Sequence, residues 1–291
     1  MRHAEARLWN PYLEAMPRRE LDELHLRRVR RVIEYAYRHL PFYRRRYEAA
    51  GVRPEHIRSW EDFLERVPLL DKPDLMEAQE RGELVPADPP PHQLCMTSGT
   101  TGVPLRIPWS AYQMIRNGDH GAYLWWSAGI RPGQTLYIAF NFGTFVGFWT
   151  VYHGALSYGL NVISGGGLDT RRRLLQVAEL RPDVLAATPT YALHMAEVAR
   201  QMGLELRACG VRALLLAGEA GACVPAIRNA LREAWGAEPF DYYGTSETGG
   251  IGFSCHWDPT RIHVLEDGVH CLVLDEGGRP VQEGTGEVVV T

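Results

Sequence analysis

The chain has 291 residues, 45% apolar, 23% charged and 10% aromatic. That suffices for one large domain or two ordinary ones and excludes a disordered chain. A formal net charge of −4, from 31 basic against 35 acidic residues, excludes a nucleic-acid binder held by bulk positive charge. Lys72 is the only lysine among the basic residues, so any step that needs a lysine from this chain must use it.

Five scattered cysteines with no CxxC pair point to reduced thiols and a cytoplasmic protein rather than a disulfide framework. Residues 1–13 lack the apolar core of a signal peptide. Residues 132–168 contain no Asp, Glu, Lys or Arg, but Asn141, His153, Asn161 and several glycines interrupt them. The stretch therefore reads as a buried strand, a buried helix and a second strand, not as a membrane span.

In chain order, Leu26, Val29, Ile33, Ala36 and Leu40 alternate at three- and four-residue spacings. That spacing predicts helix over 20–50, with its arginines on a solvated face. Residues 60–75 read as two short helices across a proline-containing link, and 86–91 as a loop. From residue 94 strands and helices alternate. Strands are expected at 136–140, 161–163, 184–187, 211–217 and 239–243, and helices at 144–158, from a cap at Asp169 to 180, from Thr188-Pro189 to 202, and at 225–235. Short strands follow at 262–265, 269–274 and 286–291. The fold class is α/β, a mostly parallel sheet flanked by helices with a β-rich subdomain at the end. The expected divisions are a helical region at 1–93, an α/β core at 94–250 and a β-rich part at 251–291. The last run has strand character and no terminal loop, so a chain cut within a sheet is expected.

Three polar loops carry the chemistry. Thr97, Ser98, Gly99, Thr100, Thr101 and Gly102 could wrap phosphates with hydroxyls and backbone N–H groups. Gly218, Glu219 and Ala220 follow a strand and could hold a flat base. Asp241, Tyr242, Tyr243, Gly244, Thr245, Ser246 and Glu247 follow the start of another strand, where ligands bind in open α/β sheets. A carboxylate at Glu247 beside two hydroxyls suits hydrated Mg²⁺. Each loop alone is also compatible with an ordinary turn.

In this order the three loops resemble the adenylate-forming, AMP-binding superfamily, in which Tyr243-Gly244-Thr245-Ser246-Glu247 matches a Tyr-Gly-x-Ser/Thr-Glu motif. The nearer resemblance is to phenylacetate–CoA ligases and coenzyme F390 synthetase-like proteins. It rests on Leu40-Pro41-Phe42-Tyr43, Ser164-Gly165-Gly166 and Thr188-Pro189-Thr190-Tyr191-Ala192-Leu193. The resemblance implies the large N-terminal domain of such an enzyme. It implies activation of a small, aromatic carboxylic acid by ATP and Mg²⁺ and transfer to a thiol such as CoA, without nucleic acid or membrane. Glu247, Ser246 and Thr245 would then be catalytic, with Glu247 on Mg²⁺. Thr97 to Gly102, Gly218 to Ala220 and Asp241 to Gly244 would bind nucleotide. Phe142, Phe148 and His153 would shape the carboxylate pocket, a role equally compatible with core packing. Arg106 stands near the position where the family loop carries a lysine. Cys255 and His263 match the first half of a zinc site in the F390-like relatives. The family's catalytic lysine lies on a C-terminal domain that this sequence does not include, supplied by a longer chain or another chain. A nucleotide- or adenylate-binding module without efficient turnover is the alternative, and a homodimer is one candidate assembly.

Overall fold

The computed structural model describes residues 8–86, 91–97 and 102–291. The described residues divide into two compact units, one within 15–111 (with Thr291) and one of 8–14 joined with 112–290. A short first helix, α1 (Pro11–Glu14), belongs to the second of these.

In the unit of 15–111, the amphipathic run over 20–50 forms two helices, α2 (Arg18–His39) and α3 (Pro41–Ala49). Leu40 between them is extended (φ −120°, ψ 106°), because a residue before proline is disfavoured in the helical region. Val29, Ile33 and Ala36 of α2 join Tyr47, Val52 and Ile57 in one buried cluster. The arginines of α3 are tied down within the unit rather than merely solvated: Arg44 donates to the carbonyls of Tyr37 and Arg38, Arg45 pairs with Glu83, and Arg46 with Asp74. Helices α4 (Trp60–Arg66) and α5 (Lys72–Glu80) start on Ser59 and Asp71, each side chain accepting from the backbone N–H three residues on. Such caps contribute about 1 kcal/mol each.

Strands β1 (Gln93–Met96) and β2 (Arg106–Trp109) form their own antiparallel hairpin. They do not open the parallel sheet, as the change of rhythm at residue 94 suggests, and the expected boundary at 93/94 falls inside this unit. With only about ten residues between the strands, antiparallel pairing is the accessible geometry, since a parallel crossover needs a dozen residues or more.

The other unit is built on α6 (Ala111–Ser127), β3 (Thr135–Ile138), α7 (Val146–Tyr158), β4 (Asn161–Ser164), α8 (Thr170–Leu180), β5 (Val184–Ala187), α9 (Pro189–Gln201), β6 (Ala213–Ala217), α10 (Pro225–Trp235), β7 (Glu238–Thr245), β8 (Gly249–Phe253) and β9 (His263–Val264). The sheet order is β4-β3-β5-β6-β7-β8-β9, parallel from β4 through β7 and antiparallel thereafter. Successive residues point to opposite faces. Leu136, Ile138, Val184, Ala186, Ala213 and Leu215 therefore enter one buried cluster with α6 and α7. Tyr137, Ala139, Leu185, Ala187, Leu214 and Leu216 enter a second with α8, α9 and α10. Burial on both faces is what makes these strands near-continuous apolar runs. The expected division at 250/251 cuts β8, which belongs to this sheet. A further antiparallel pair, β10 (Cys271–Leu274) with β11 (Glu287–Val290), accounts for the β-rich end. No described helix is long and apolar enough to cross a membrane.

Candidate functional site

Because β3 to β7 are arranged in parallel, the loops after their carboxyl ends gather along one edge of the sheet. The loops expected to carry chemistry at 218–220 and 241–247 belong to neighbouring strands there, β6 and β7. Strand β7 runs to Thr245, further than the 239–243 expected, so Tyr242 to Thr245 lie within the strand and the turn is Ser246 to Thr248. A register shift between Tyr243 and Gly244 bends the ladder just before it. In the turn, Thr245 Oγ1 accepts from Thr248 N at 3.2 Å and meets Thr248 Oγ1 at 2.9 Å. Ser246 and Glu247 are half-buried at the tip. Neither side chain has a hydrogen bond or ion pair among the described residues, so Glu247 presents an uncommitted carboxylate next to two hydroxyls.

Asp241 does something different. Its side chain is buried, and its two carboxylate oxygens accept from Ala222 N and Cys223 N, both at 2.8 Å. Its backbone N–H donates to Ser254 Oγ at 2.7 Å. Asp241 thus fastens the loop after β6 onto β7. Gly221 fits only without a side chain, since a Cβ would lie 2.7 Å from both Asp241 Oδ1 and Pro189 Cγ. Burial, with Asp241 beside it, pushes the Cys223 thiol up to about 12, leaving it unreactive near neutrality.

At the turn after β6, Gly218 adopts φ +88°, a conformation open to glycine. Glu219 accepts from Thr190 Oγ1 at 2.9 Å and Thr190 N at 3.2 Å. This carboxylate on the first turn of α9 is favoured by the helix dipole. Thr188 caps the same helix by accepting from Tyr191 N. Ala220 is exposed beside Glu219, Tyr243 is 43% exposed, and Tyr242 points the opposite way into the cluster under α6 and α7.

Phe142, Phe148 and His153 share an aromatic assembly through Trp149. Phe142 lies 5.6 Å from Phe148 and 5.2 Å from Trp149, and His153 stacks on Trp149 at 5.9 Å. Their surroundings differ. Phe148 is core, Phe142 is 65% exposed, and burial holds the His153 imidazole below its ordinary value.

Two residues that the sequence reading passed over shape these loops. Arg173 on α8 is buried, and its guanidinium donates to Gly165 O, Ala139 O and Asn141 Oδ1 at 2.9, 2.8 and 2.6 Å. It also lies over the Tyr191 ring at 5.2 Å. It ties together the ends of β3 and β4, and with them the base of the Phe142 loop. Nothing in the run Arg171-Arg172-Arg173 distinguishes the inward arginine except its phase with Leu174 and Val177. In the unit of 15–111, Gln79 donates to Pro104 O and accepts from Arg106 N. Thr97 Oγ1 accepts from Leu105 N at 3.0 Å. Together they clamp the ends of the expected phosphate loop. Ser98, Gly99, Thr100 and Thr101 lie outside the described residues; Gly102 has φ +134°.

Cys255 Sγ lies 3.1 Å from His263 Nε2. However, no group of three or more His, Cys, Asp or Glu that could hold a metal occurs among the described residues. A structural zinc requires four donors, so the pair does not by itself make that site.

The sequence model of the family described as "AMP-binding enzyme" matches residues 23–291. Phenylacetate-coenzyme A ligase of Thermus thermophilus is 32% identical over 97% of this chain, and that of Escherichia coli 27% identical over 94%. The chain spans 64% and 63% of the lengths of these two relatives. Among solved structures, 2-hydroxyisobutyryl-CoA ligase in complex with 2-HIB-AMP and CoA superposes with a TM-score of 0.91 at 31% identity, covering 100% of this chain and 64% of that one.

Proposed function

The chain belongs to the AMP-binding enzyme family, and from that premise we propose that its site serves ATP-dependent activation of a small carboxylic acid and transfer of the acyl group to CoA. The observation that carries the proposal is the half-buried carboxylate of Glu247, without a hydrogen bond or ion pair among the described residues, at the carboxyl end of β7 and next to the turn after β6. A carboxylate oxygen of the acid attacks the α-phosphorus of ATP, the bond to the β-phosphate breaks, and pyrophosphate leaves. The CoA thiol then attacks the acyl carbon and AMP departs.

The chain's part in this is binding, orientation and charge stabilisation. By the family resemblance alone, Thr97 to Gly102 would hold the β- and γ-phosphates. The backbone at Gly218 to Ala220 and the exposed ring of Tyr243 enclose the adenine, and Ser246 meets the α-phosphate. Glu247 offers the oxygen donor that hydrated Mg²⁺ prefers; the ion would neutralise phosphate charge. Phe142, Trp149 and His153 give an aromatic surface for the acid, in keeping with the phenylacetate-coenzyme A ligases among the relatives. Five free cysteines suit a reducing, cytoplasmic setting. Acid-dependent ATP–pyrophosphate exchange, scanned over phenylacetate and small aliphatic acids, tests the proposal. Exchange that needs acid supports it, and retention of neither ATP nor acyl-adenylate overturns it.

One observation favours a second reading, a module that holds nucleotide or adenylate without efficient turnover. Lys72, the only lysine, is exposed at the first position of α5 and precedes the phosphate loop. The family's catalytic lysine comes later in the sequence, and loss of one preorganised donor commonly costs ~10²–10³ in rate. Tight adenylate binding with acid-dependent exchange near background, in the wild type and in Lys72→Ala alike, would select this reading.

A further inference from the structure

Arg173 is the one buried arginine among the described residues, 4% exposed. Its neighbour Arg172 pairs with Asp169, but no described carboxylate pairs with Arg173. Taking a cation out of water without a counter-charge is strongly unfavourable. The three hydrogen bonds of its guanidinium therefore supply something that an apolar side chain of the same size would not.

The fork spans two loops. Nη1 and Nη2 donate to Ala139 O and Asn141 Oδ1, in the segment leaving β3, and Nε donates to Gly165 O, in the turn leaving β4. One residue beyond Asn141 and Gly165 the two loops touch. Phe142 rests on Gly166, where a Cβ would stand 2.9 Å from Phe142 Cβ and 3.2 Å from Phe142 N. On the other side of Phe142, Trp149 Nε1 donates to Gly143 O at 2.7 Å. Phe142 thus stands between two bracketing bonds. Its ring is 65% exposed, so its place follows from the backbone that Arg173 and Trp149 hold rather than from burial.

We propose that Arg173 is a positioning residue for the acid. By locking the turn after β4 against the loop after β3, it sets where the Phe142 ring stands and so how tightly the acyl group is held, while touching neither acid nor nucleotide. The fork matters as much as the charge, because a lysine presents a single ammonium in place of a planar array of donors. A shift of about 1 Å caused by a residue remote from the chemistry costs up to ~10²-fold. The inference rests on the carboxylate-activating reading of the site and names a residue that governs its grip on the acid.

The experiment needs no turnover and separates the acyl contribution from the nucleotide one. 5′-O-sulfamoyladenosine and its N-phenylacetyl and N-isobutyryl derivatives are titrated calorimetrically on the wild-type chain, Arg173→Lys, Phe142→Ala and the double variant, below every thermal transition. In the wild type the better acyl group is expected to tighten binding about tenfold or more over the unacylated compound. Arg173→Lys is expected to cut that gain by about threefold or more while affinity for the unacylated compound stays within about twofold. The double variant is expected to lose no more than Phe142→Ala alone, because Arg173 acts through Phe142. Should Arg173→Lys not fold, Asn141→Ala takes its place, since it removes one exposed acceptor of the same fork. Absence of an acyl gain in the wild type, a gain unchanged in the variant, a parallel fall for acylated and unacylated compounds, or single losses that multiply in the double variant would each overturn the inference and leave the reaction class standing. Failure of all three compounds to bind the wild type would overturn the reaction class and this inference with it.

Discussion

Replacing Asp241 by Asn separates a clamp from a ligand contact. The carboxylate accepts two backbone N–H groups, from Ala222 and Cys223, both at 2.8 Å. An amide of the same volume keeps one acceptor and turns a donor toward the other N–H. Hydrogen bonds to charged groups are worth about 1.5–3 kcal/mol each, and a buried donor left unpaired costs a similar amount. The loss expected for Asp241→Asn is therefore about 2–3 kcal/mol, or roughly 4–12 °C in Tm for a unit of this size. The bonds between Asp241 and Ser254 involve the Asp241 backbone and survive the change. Thermal unfolding followed by circular dichroism gives the stability, and fluorescent ATP-analogue titration below the transition gives nucleotide affinity. A lowered Tm with affinity reduced only modestly agrees with the clamp. An unchanged Tm with affinity down tenfold would refute it and make Asp241 a residue that touches nucleotide.

Glu247→Gln should leave Tm within about 1 °C, because the carboxylate has no partner among the described residues, while removing most of the Mg²⁺-dependent part of ATP binding. Calorimetry with and without Mg²⁺ reads both. Arg173→Met leaves Ala139 O, Gly165 O and Asn141 Oδ1 without their buried donor; a loss of about 3 kcal/mol, roughly 6–12 °C in Tm, is expected, with Arg173→Lys intermediate. For His153, burial favours the neutral ring in the folded state. As pH falls below about 6.5 the unfolded chain takes up the proton first, so stability is lost with falling pH until the folded imidazole also titrates. His153→Phe should flatten the Tm–pH curve below about pH 6.5; an unaltered curve would mean that His153 titrates alike in both states.

Much of the sheet was legible because strands buried on both faces read as apolar runs, and residues 184–187 and 225–235 match their elements to the residue. Caps were legible for the same local reason: Asp169 and Thr188 accept from the N–H groups of Arg172 and Tyr191 as their positions suggest. Helix α6 escaped notice. Its interior holds Gly118 and Gly121, which mask helical propensity, and its only described acid is Asp119. Those glycines let α6 approach α7, where a Cβ on Gly121 would stand 3.4 Å from Gly154 Cα. Such a reason lies in the partner helix and not in the local pattern. Site residues with unusual chemistry for their position, such as Glu247, were visible in the motif. The fasteners Arg173 and Gln79 were not, because their partners are backbone carbonyls and amides that only the fold brings near. Asp241 was visible as part of the motif, while its role depends on a turn 18 residues earlier.

The central claim is that a carboxylate attacks the α-phosphorus of ATP at this site. A carboxylic acid labelled with ¹⁸O in both oxygens, incubated with ATP, Mg²⁺, CoA and excess chain, tests it most directly by mass spectrometry of the nucleotide product. The expected product is AMP carrying one ¹⁸O, with pyrophosphate released alongside it. ADP with labelled inorganic phosphate, or unlabelled AMP, would contradict it.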